Sequence, residues 1–149
     1  MSEDSTAQDD ATKATLLEIV RQHGTPTYAF DVERLRAQAN RLRAALPDAV
    51  EIFYSLKANA SLGICDVFAE SGLGADVASA GELVTAVEAG FPASRLFVAG
   101  PCKSPETWEM LRTLPEAIIS IDSPGELSLF ANHNLPNPVV LRLRPDYES

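Results

Sequence analysis

The sequence predicts an α/β protein built on a parallel sheet, and two observations carry that prediction. Short apolar runs recur along the chain, and their starts are 23, 21, 21 and 22 residues apart. Each of the first four runs is followed, after a short loop, by a serine that can begin a helix. Strand, loop and capped helix in repetition are typical of parallel sheets, because parallel neighbours need a crossover connection. The runs are 52–55, 75–78, 96–99, 117–121 and 139–143.

The segment before the repeat is predicted to contain a tail, two helices and a strand. Residues 1–12 are polar, acidic and without periodicity, which predicts a mobile tail. Residues 14–24 suit a short helix that ends at Gly24, and residues 27–32 suit a strand. Asp31 can then cap a second helix, which Pro47 ends, with five apolar residues spaced three and four apart on one face. These are Val32, Leu35, Ala39, Leu42 and Leu46.

Four helices inside the repeat are predicted from their first residues. Ser79 with Glu82, and Ser123 with Glu126, have the spacing of a capping box, in which serine and glutamate satisfy backbone N–H groups of the first turn. Pro105 suits the first position of another helix, where its missing N–H costs nothing. Ser61 and Ser104 precede the remaining two helices.

Two architectures fit this pattern: an open doubly wound sheet, or the front part of a (β/α)8 barrel. In both, right-handed crossovers bring the carboxyl ends of all strands to one edge of the sheet. A barrel needs eight units and about 250 residues. The chain of 149 residues supplies four units and a fifth strand. If the sheet is a barrel, we therefore expect residues 13–149 to form an incomplete one.

Composition and charge limit the classes of function. The net charge is −9, from 21 acidic and 12 basic residues, which disfavours nucleic acid and anionic lipid as partners. No apolar run approaches the length of about 18 residues that a membrane span needs, and the N-terminus lacks the features of a secretory signal. Cys65 and Cys102 are too few for a disulfide scaffold and fit a reducing, cytoplasmic compartment. Neither they nor His23 and His133 have metal-ligand spacing, so we expect no metal site.

The carboxyl edge of the sheet is the natural place for a functional site in either architecture. Lys57 follows the first strand, Asp76 lies in the second, Asp122 ends the fourth, and Arg142 and Arg144 lie in the fifth. A lysine amine facing carboxylates there can form a Schiff base with an aldehyde, provided that its surroundings keep part of it neutral. Spacing alone favours a solvated lysine or a salt bridge, because structural ion pairs also populate such edges.

Three motifs at this edge resemble the fold-type-III pyridoxal-phosphate decarboxylases, the family of diaminopimelate, ornithine and biosynthetic arginine decarboxylases. The lead-in at 24–31 and the stretch 100–103 also look like that family, so the similarity runs from about Leu16 to the last residue. The motifs are Tyr54-Ser-Leu-Lys-Ala-Asn59, Gly74-Ala-Asp-Val-Ala-Ser-Ala-Gly-Glu-Leu83 and Leu141-Arg-Leu-Arg-Pro145.

The resemblance implies the N-terminal part of an alanine-racemase-like (β/α)8 TIM barrel that binds pyridoxal 5′-phosphate and a small amino-acid substrate. It implies that Lys57 holds the cofactor as an internal aldimine and that Asp76 is catalytic beside it. It also places Glu82 and Arg142 among the cofactor-binding residues, although Glu82 has a capping role as well. For the full-length protein we expect a homodimeric amino-acid decarboxylase.

The substrate stays open at this point. Residues 78–83 look more like the diaminopimelate branch than the eukaryotic ornithine branch. Residues 100–103 depart from both and look like less-characterised members of secondary metabolism. An alanine racemase is disfavoured, because its lysine motif usually continues Tyr-Gly-His-Gly, whereas here residues 60–63 are Ala-Ser-Leu-Gly.

Two further functions remain as alternatives. A non-catalytic, decarboxylase-like binding protein is disfavoured because Lys57 is present. An independent five-stranded binding domain would show a sheet with two edges and a closed core within 149 residues. The family's ring-stacking histidine, glycine-rich phosphate loop, pyridine-nitrogen partner and catalytic cysteine belong to later parts of the barrel and a C-terminal domain. We therefore expect residues 1–149 alone to bind the cofactor weakly and to decarboxylate nothing, and their apolar strand residues to be partly uncovered. Those residues are Leu96, Phe97, Val98, Ile118, Ile119, Val139 and Leu141.

Overall fold

The computed structural model describes the backbone of residues 3–143 and the side chains of residues 12–143. The chain divides into two units, residues 1–31 and residues 32–149. The first unit contains α1 (Glu3–His23), a helix of 21 residues. This helix begins earlier than predicted and includes most of the predicted tail, because residues 3–13 contain no glycine or proline to interrupt it. The mobility of residues 1–12 stays a prediction.

The strand predicted at 27–32 is wrong. Residues 27–31 have no regular secondary structure, and Val32 begins α2 (Val32–Ala44). A strand exists through the hydrogen bonds it makes with a neighbour, and none of the described strands pairs with these residues. The helix predicted after Asp31 is confirmed, but Ala39 is its one buried residue, and Leu42 is 49% exposed.

Five short strands form one parallel sheet whose order follows the chain, β1-β2-β3-β4-β5. The predicted positions, direction and order of the strands are therefore confirmed. A doubly wound sheet would reverse its order at a switch point, and the described sheet has none. The strands are β1 (Phe53–Ser55), β2 (Gly74–Val77), β3 (Leu96–Val98), β4 (Ile118–Ile121) and β5 (Val139–Leu141).

Helices alternate with the strands and begin where the sequence predicts. Ser79 Oγ accepts a hydrogen bond from Glu82 N at 3.2 Å, and Ser123 Oγ accepts one from Glu126 N at 3.2 Å. Ser104 Oγ plays the same part for another helix. The helices are α3 (Leu62–Glu70), α4 (Ala80–Glu88), α5 (Pro105–Leu111) and α6 (Pro124–His133), with 3₁₀ turns at Leu56–Ala58 and Ala93–Arg95.

The hydrophobic core lies on one face of the sheet. Successive strand residues point to opposite faces. One set of strand residues is buried against the helices. On the opposite face, Phe53 and Phe97 meet edge to face, with ring centroids 6.3 Å apart, over Gly74. A Cβ on Gly74 would lie 2.5 Å from the Phe53 ring, so glycine is required there. Helices on one face only are the arrangement of a barrel wall.

The same alternation corrects the prediction that seven apolar strand residues are partly uncovered. Leu96, Val98 and Ile119 are 0%, 1% and 0% exposed because they point toward the helices. The prediction is confirmed for Leu141, which is 59% exposed, and for Phe97, Ile118 and Val139, which are half-buried. Within the described part of the chain, no helix is long and apolar enough to cross a membrane.

Candidate functional site

Lys57 lies directly beyond β1, in the 3₁₀ turn Leu56–Ala58. Leu56 is fully buried and anchors the turn to the core, whereas Lys57 is exposed. Among the residues that the structure describes, no hydrogen bond or ion pair engages the Lys57 ammonium. The predicted Schiff-base residue therefore stands at the carboxyl edge without a competing carboxylate.

Tyr54 closes the loop that carries Lys57. Its hydroxyl donates a hydrogen bond to the Asn59 carbonyl oxygen at 2.9 Å, and its ring packs on Phe68 with centroids 4.2 Å apart. The Asn59 side chain in turn accepts from the Ser61 backbone N–H at 2.9 Å. Burial raises the pKa of Tyr54, with a smaller contribution from the nearby Cys65. The hydroxyl thus remains a donor, and the turn around Lys57 is held on both sides.

Sequence reasoning did not assign a role to Tyr54. Its position in the same motif, three residues before the lysine, is the signal that could have identified it. In a strand that ends at Ser55, Tyr54 points to the helix-covered face, where Phe68 packs against it. Tyr54 therefore holds the Lys57 loop from the helix-covered face of the sheet.

Asp76 is the third residue of β2 and pairs in register with Ser55 of β1 and Phe97 of β3. It lies on the face away from the helices and is half-buried. The structure places Asp76 and Lys57 at the ends of adjacent strands, as predicted. It does not join them, since no ion pair between the two occurs in the described chain.

Glu82 forms the predicted capping box. One of its carboxylate oxygens accepts a hydrogen bond from the Ala78 backbone N–H at 2.8 Å, while Ser79 Oγ accepts from the Glu82 N–H. Its side chain is therefore engaged at the start of α4, next to the end of β2. A role of Glu82 in binding a cofactor stays a prediction.

Asp122 and Arg142 come together at the far end of the same edge. Arg142 Nη1 lies 3.6 Å from Asp122 Oδ2, and the two side chains are 66% and 10% exposed. Ser120 Oγ donates to Asp122 Oδ1 at 2.8 Å. The Arg142 N–H donates to the Ile121 carbonyl at 2.9 Å and extends the pairing of β5 with β4. Arg144, the other predicted arginine, lies outside the described residues.

Lys103 is the residue that sequence reasoning missed, because it was assigned only to a loop after β3. Its Nζ lies 2.8 Å from Glu126 Oε1, 2.5 Å from the Ser120 carbonyl and 3.1 Å from the Gly100 carbonyl. The Lys103 and Glu126 side chains are 1% and 5% exposed. The Trp108 ring lies below the ammonium, with its centroid 5.9 Å away. Lys103 therefore forms a buried ion pair that joins the loop after β3 to the start of α6.

The two cysteines differ in their surroundings. Burial raises the pKa of the Cys65 thiol, and the charges of Asp66 and Glu82 raise it further, so Cys65 behaves as a small core residue. Cys102 is exposed in the loop after β3. The part of the chain that the structure describes contains no group of three histidine, cysteine or acidic residues that could hold a metal ion.

Comparison with known proteins decides the family. Residues 32–149 match the family described as pyridoxal-dependent decarboxylase, pyridoxal binding domain. The chain belongs to this family. The match covers all five strands and every residue of the carboxyl edge, so the described sheet is part of the pyridoxal-binding domain.

Relatives with assigned names include the diaminopimelate decarboxylase of Zymomonas mobilis, which is 35% identical over 141 residues. The alignment covers 89% of this chain and 34% of that protein. A decarboxylase of the L-glutamyl form of an acyl-carrier protein, from Niallia circulans, is 32% identical over 138 residues, covering 90% of this chain and 32% of that protein. The chain thus spans about a third of the length of the curated relatives it matches.

Solved structures of the family share the fold. A diaminopimelate decarboxylase from M. jannaschii superposes with a TM-score of 0.80 at 30% identity, over 87% of this chain and 32% of that one. The lysine/ornithine decarboxylase of Vibrio vulnificus superposes with a TM-score of 0.78 at 24% identity, over 87% of this chain and 36% of that one. The partial barrel that the family resemblance implies is thereby confirmed.

The residues at the edge fit a pyridoxal group. An aldehyde needs an amine that is accessible and not already bound in an ion pair. Lys57 meets both conditions, whereas the Lys103 ammonium is buried and paired with Glu126. Asp76 supplies a carboxylate on the adjacent strand. Of the two lysines at this edge, Lys57 alone has the surroundings of a cofactor-binding residue.

Proposed function

We propose that this chain is the N-terminal part of a pyridoxal-phosphate-dependent amino-acid decarboxylase in which Lys57 supplies the amine that holds the cofactor. One observation carries the proposal: Lys57 is exposed and without an ion-pair partner among the described residues, at the carboxyl edge of a pyridoxal-binding domain. Functional residues of barrel enzymes lie at this edge, and structural ones at the opposite end.

The chain's own residues have distinct parts in this function. Pyridoxal phosphate, when bound, supplies an electron sink for the electron pair that carbon dioxide leaves behind on an amino acid. Lys57 would hold the aldehyde carbon through Nζ, with the carbonyl oxygen leaving as water. Asp76, on the adjacent strand, would offer its carboxyl group to the bound cofactor. Arg142 offers hydrogen-bond donors at the other end of the edge, and Glu82 fixes the start of α4 beside Asp76.

The substrate we propose is a small amino acid of the diaminopimelate or ornithine type. Support comes from the diaminopimelate decarboxylases of Zymomonas mobilis and Bacillus subtilis, which are 35% and 34% identical to this chain. The M. jannaschii structure, a diaminopimelate decarboxylase at 30% identity, adds to it. We further propose that the full-length protein is a cytoplasmic homodimer without nucleic-acid partners. Two free cysteines are consistent with a reducing compartment, and a net charge of −9 is consistent with the lack of a nucleic-acid partner.

The test of the cofactor assignment is chemical trapping. The full chain is incubated with pyridoxal phosphate, reduced with borohydride, digested and mapped by mass spectrometry. We expect a phosphopyridoxyl group on Lys57 and on no other lysine. A label on Lys103, or an unlabelled chain at saturating cofactor, would overturn the assignment.

The test of the reaction uses release of carbon dioxide. The longest reading frame that contains these residues is assayed with diaminopimelate, ornithine, lysine and arginine in parallel. We expect turnover of one of these amino acids that depends on added pyridoxal phosphate. Labelling of Lys57 without turnover of any amino acid would leave the cofactor assignment intact and reject the decarboxylase.

A further inference from the structure

Four charged residues form a continuous network from the interior to the carboxyl edge, which we name the rim network: Lys103, Glu126, Asp122 and Arg142. Lys103 Nζ contacts Glu126 Oε1 at 2.8 Å, and Glu126 Oε2 accepts the Asp122 backbone N–H at 2.8 Å. The Asp122 carboxylate then faces Arg142 Nη1 at 3.6 Å. The network therefore links the loop after β3, the start of α6 and the end of β5.

Exposure rises steadily along the rim network. The side chains of its four members are 1%, 5%, 10% and 66% exposed, in the order Lys103, Glu126, Asp122 and Arg142. In the same order the formal charges are positive, negative, negative and positive, so the group is neutral as a whole. Because a buried charge is strongly unfavourable without its partner, the inner members have few alternative positions. The outermost member, Arg142, is attached to this fixed group.

A second glutamate in the chain shows that helix capping does not explain Lys103. Glu82 accepts the Ala78 N–H at 2.8 Å, and Glu126 accepts the Asp122 N–H at the same distance, each four residues before the acid. Glu82 does this without a lysine partner among the described residues. The ion pair with Lys103 therefore belongs to the connection between β4 and α6, where Asp122 follows the last residue of β4. The connection between β2 and α4 has no counterpart of this ion pair among the described residues.

The loop after β3 is shaped to bring Lys103 to this place. Gly100 has φ +95°, and a Cβ on it would lie 2.9 Å from the Ala78 carbonyl, so the loop passes close to the end of β2. From there Lys103 reaches across to the Ser120 carbonyl of β4 at 2.5 Å. Both neighbours of β3 are thus tied to one loop.

We propose that Lys103 and Glu126 are positioning residues that fix Asp122 and, through it, hold Arg142 at the carboxyl edge. This proposal rests on the proposed function, in which Arg142 faces an acceptor group of the cofactor or substrate. Asp122 engages one side of the guanidinium, and the remaining donors of this exposed side chain point to no described residue. A guanidinium fixed at one side presents its other N–H groups in a defined plane.

The first test needs no cofactor. The Arg142 side-chain N–H resonance is recorded by ¹⁵N NMR in the full chain, in Glu126→Gln and in Lys103→Met. We expect both variants to shift this resonance, because Asp122 would no longer be fixed beside the Arg142 guanidinium. Glu82→Gln, the matched capping residue without a lysine, should leave the resonance in place. An unmoved Arg142 resonance in a folded Glu126→Gln variant would overturn the proposal.

The second test is a double-mutant cycle on cofactor binding. Dissociation constants for pyridoxal phosphate are measured for Glu126→Gln, Arg142→Gln and the double variant by equilibrium dialysis. We expect each single change to weaken binding about five- to tenfold and the double change to weaken it no further than the stronger single change. Fully additive effects would contradict a role through Arg142.

Glu70→Gln serves as a control for the double-mutant cycle, and Glu126→Gln as the alternative to Lys103→Met. Glu70→Gln removes the acid of an exposed ion pair with Arg36, and its effect should add to that of Arg142→Gln. If Lys103→Met fails to fold, Glu126→Gln, which keeps the side-chain volume and an acceptor for the Asp122 N–H, decides the comparison. If the parent chain takes up no cofactor at Lys57, the proposed function fails, while the NMR comparison still decides whether the rim network positions Arg142.

Discussion

Lys57 and Lys103 both follow a strand of the same parallel sheet, and both stand at its carboxyl edge. Their surroundings are opposite. Lys57 is exposed on a 3₁₀ turn and engages no described side chain, whereas Lys103 is 1% exposed and reaches three acceptors. A carboxylate that is itself buried accepts from Lys103. The same residue type at one edge of the sheet thus has two different environments.

The contrast shows which surroundings leave the amine of a lysine accessible to a ligand. An amine that is buried against a carboxylate cannot approach a ligand, and removal of either partner is strongly destabilising. A lysine without an ion-pair partner has an amine that a ligand can reach, and the protein fixes only the backbone of that lysine. In this domain that backbone is held by Tyr54 and Asn59.

The largest expected effect concerns which lysine carries the cofactor. In Lys57→Ala we expect complete loss of the borohydride-trapped phosphopyridoxyl label, because Lys103 cannot leave its ion pair. Intact-mass spectrometry measures the label. Transfer of the label to Lys103 in this variant would break the comparison, and Lys13→Ala serves as the control that keeps full labelling.

The second effect concerns the free energy of unfolding, for which Lys103 is expected to matter more than Lys57. Lys103→Met should lower the free energy of unfolding by about 3–5 kcal/mol, because it leaves Glu126 buried without its partner. Lys57→Met should change it by no more than about 0.5 kcal/mol, as for other exposed sites. Urea denaturation of the full chain measures both. Adding Glu126→Gln to Lys103→Met should restore part of the loss, and equal effects of the two single changes would contradict the contrast.

Removal of one hydroxyl tests how the Lys57 loop is held. Tyr54→Phe keeps the ring against Phe68 but leaves the Asn59 carbonyl without its donor. We expect a loss of about 1 kcal/mol in unfolding free energy, together with slower trapping of pyridoxal phosphate at Lys57. Tyr28→Phe, at a tyrosine that is 91% exposed, is the control. Unchanged trapping in Tyr54→Phe would show that the loop needs no clamp.

Alkaline pH tests the same region without a mutation. Burial raises the pKa values of Tyr54 and Cys65 above their ordinary values of 10.0 and 9.0. In this range the folded chain binds more protons than the unfolded chain, so its stability falls as pH rises. The contribution is fully present below the ordinary values and is lost through the raised ones. Tyr54→Phe should make the decline shallower, and an identical slope would argue against burial of the hydroxyl.

The smallest effect comes from an ion pair at the surface. Arg36 contacts Glu70 at 2.8 Å, the same distance as Lys103 to Glu126, but Glu70 is 66% exposed. Exposed pairs contribute about 0–1 kcal/mol. Glu70→Gln should therefore lower the unfolding free energy by less than about 1 kcal/mol in the same urea titration. A loss as large as that of Lys103→Met would mean that distance, not burial, sets the strength of these pairs.

The five strands of the sheet and the starts of the four helices that follow β1 to β4 could be predicted from the sequence because their signals are local. Ser79 and Glu82 cap a helix through neighbours three or four residues away, and apolar runs of three or four residues mark the strands. The carboxyl-edge placement of Lys57 and Asp76 follows from strand ends alone. The parallel direction follows from the crossover connections, whereas the sequential order of a barrel is what the family resemblance implies.

Other features depended on partners far along the chain. Lys103 meets an acid 23 residues away, so its burial is a property of the packed sheet and not of its loop. Residues 27–31 have a strand-like pattern but no strand beside them among the described residues. The burial of Leu96 and the half-exposure of Phe97 depend on which face the helices cover, which the apolar run by itself does not show.

The sequential strand order has a kinetic consequence. Phe53 pairs with Gly74, Ala75 with Leu96, and Phe97 with Ile118, each 21 positions along the chain, and the pairing of β4 with β5 joins positions 20 apart. Loops of equal and modest length cost similar entropy to close, and contacts of short sequence separation form quickly. The sheet can therefore grow one unit at a time in the direction of synthesis, with every new strand adding to an edge that already exists.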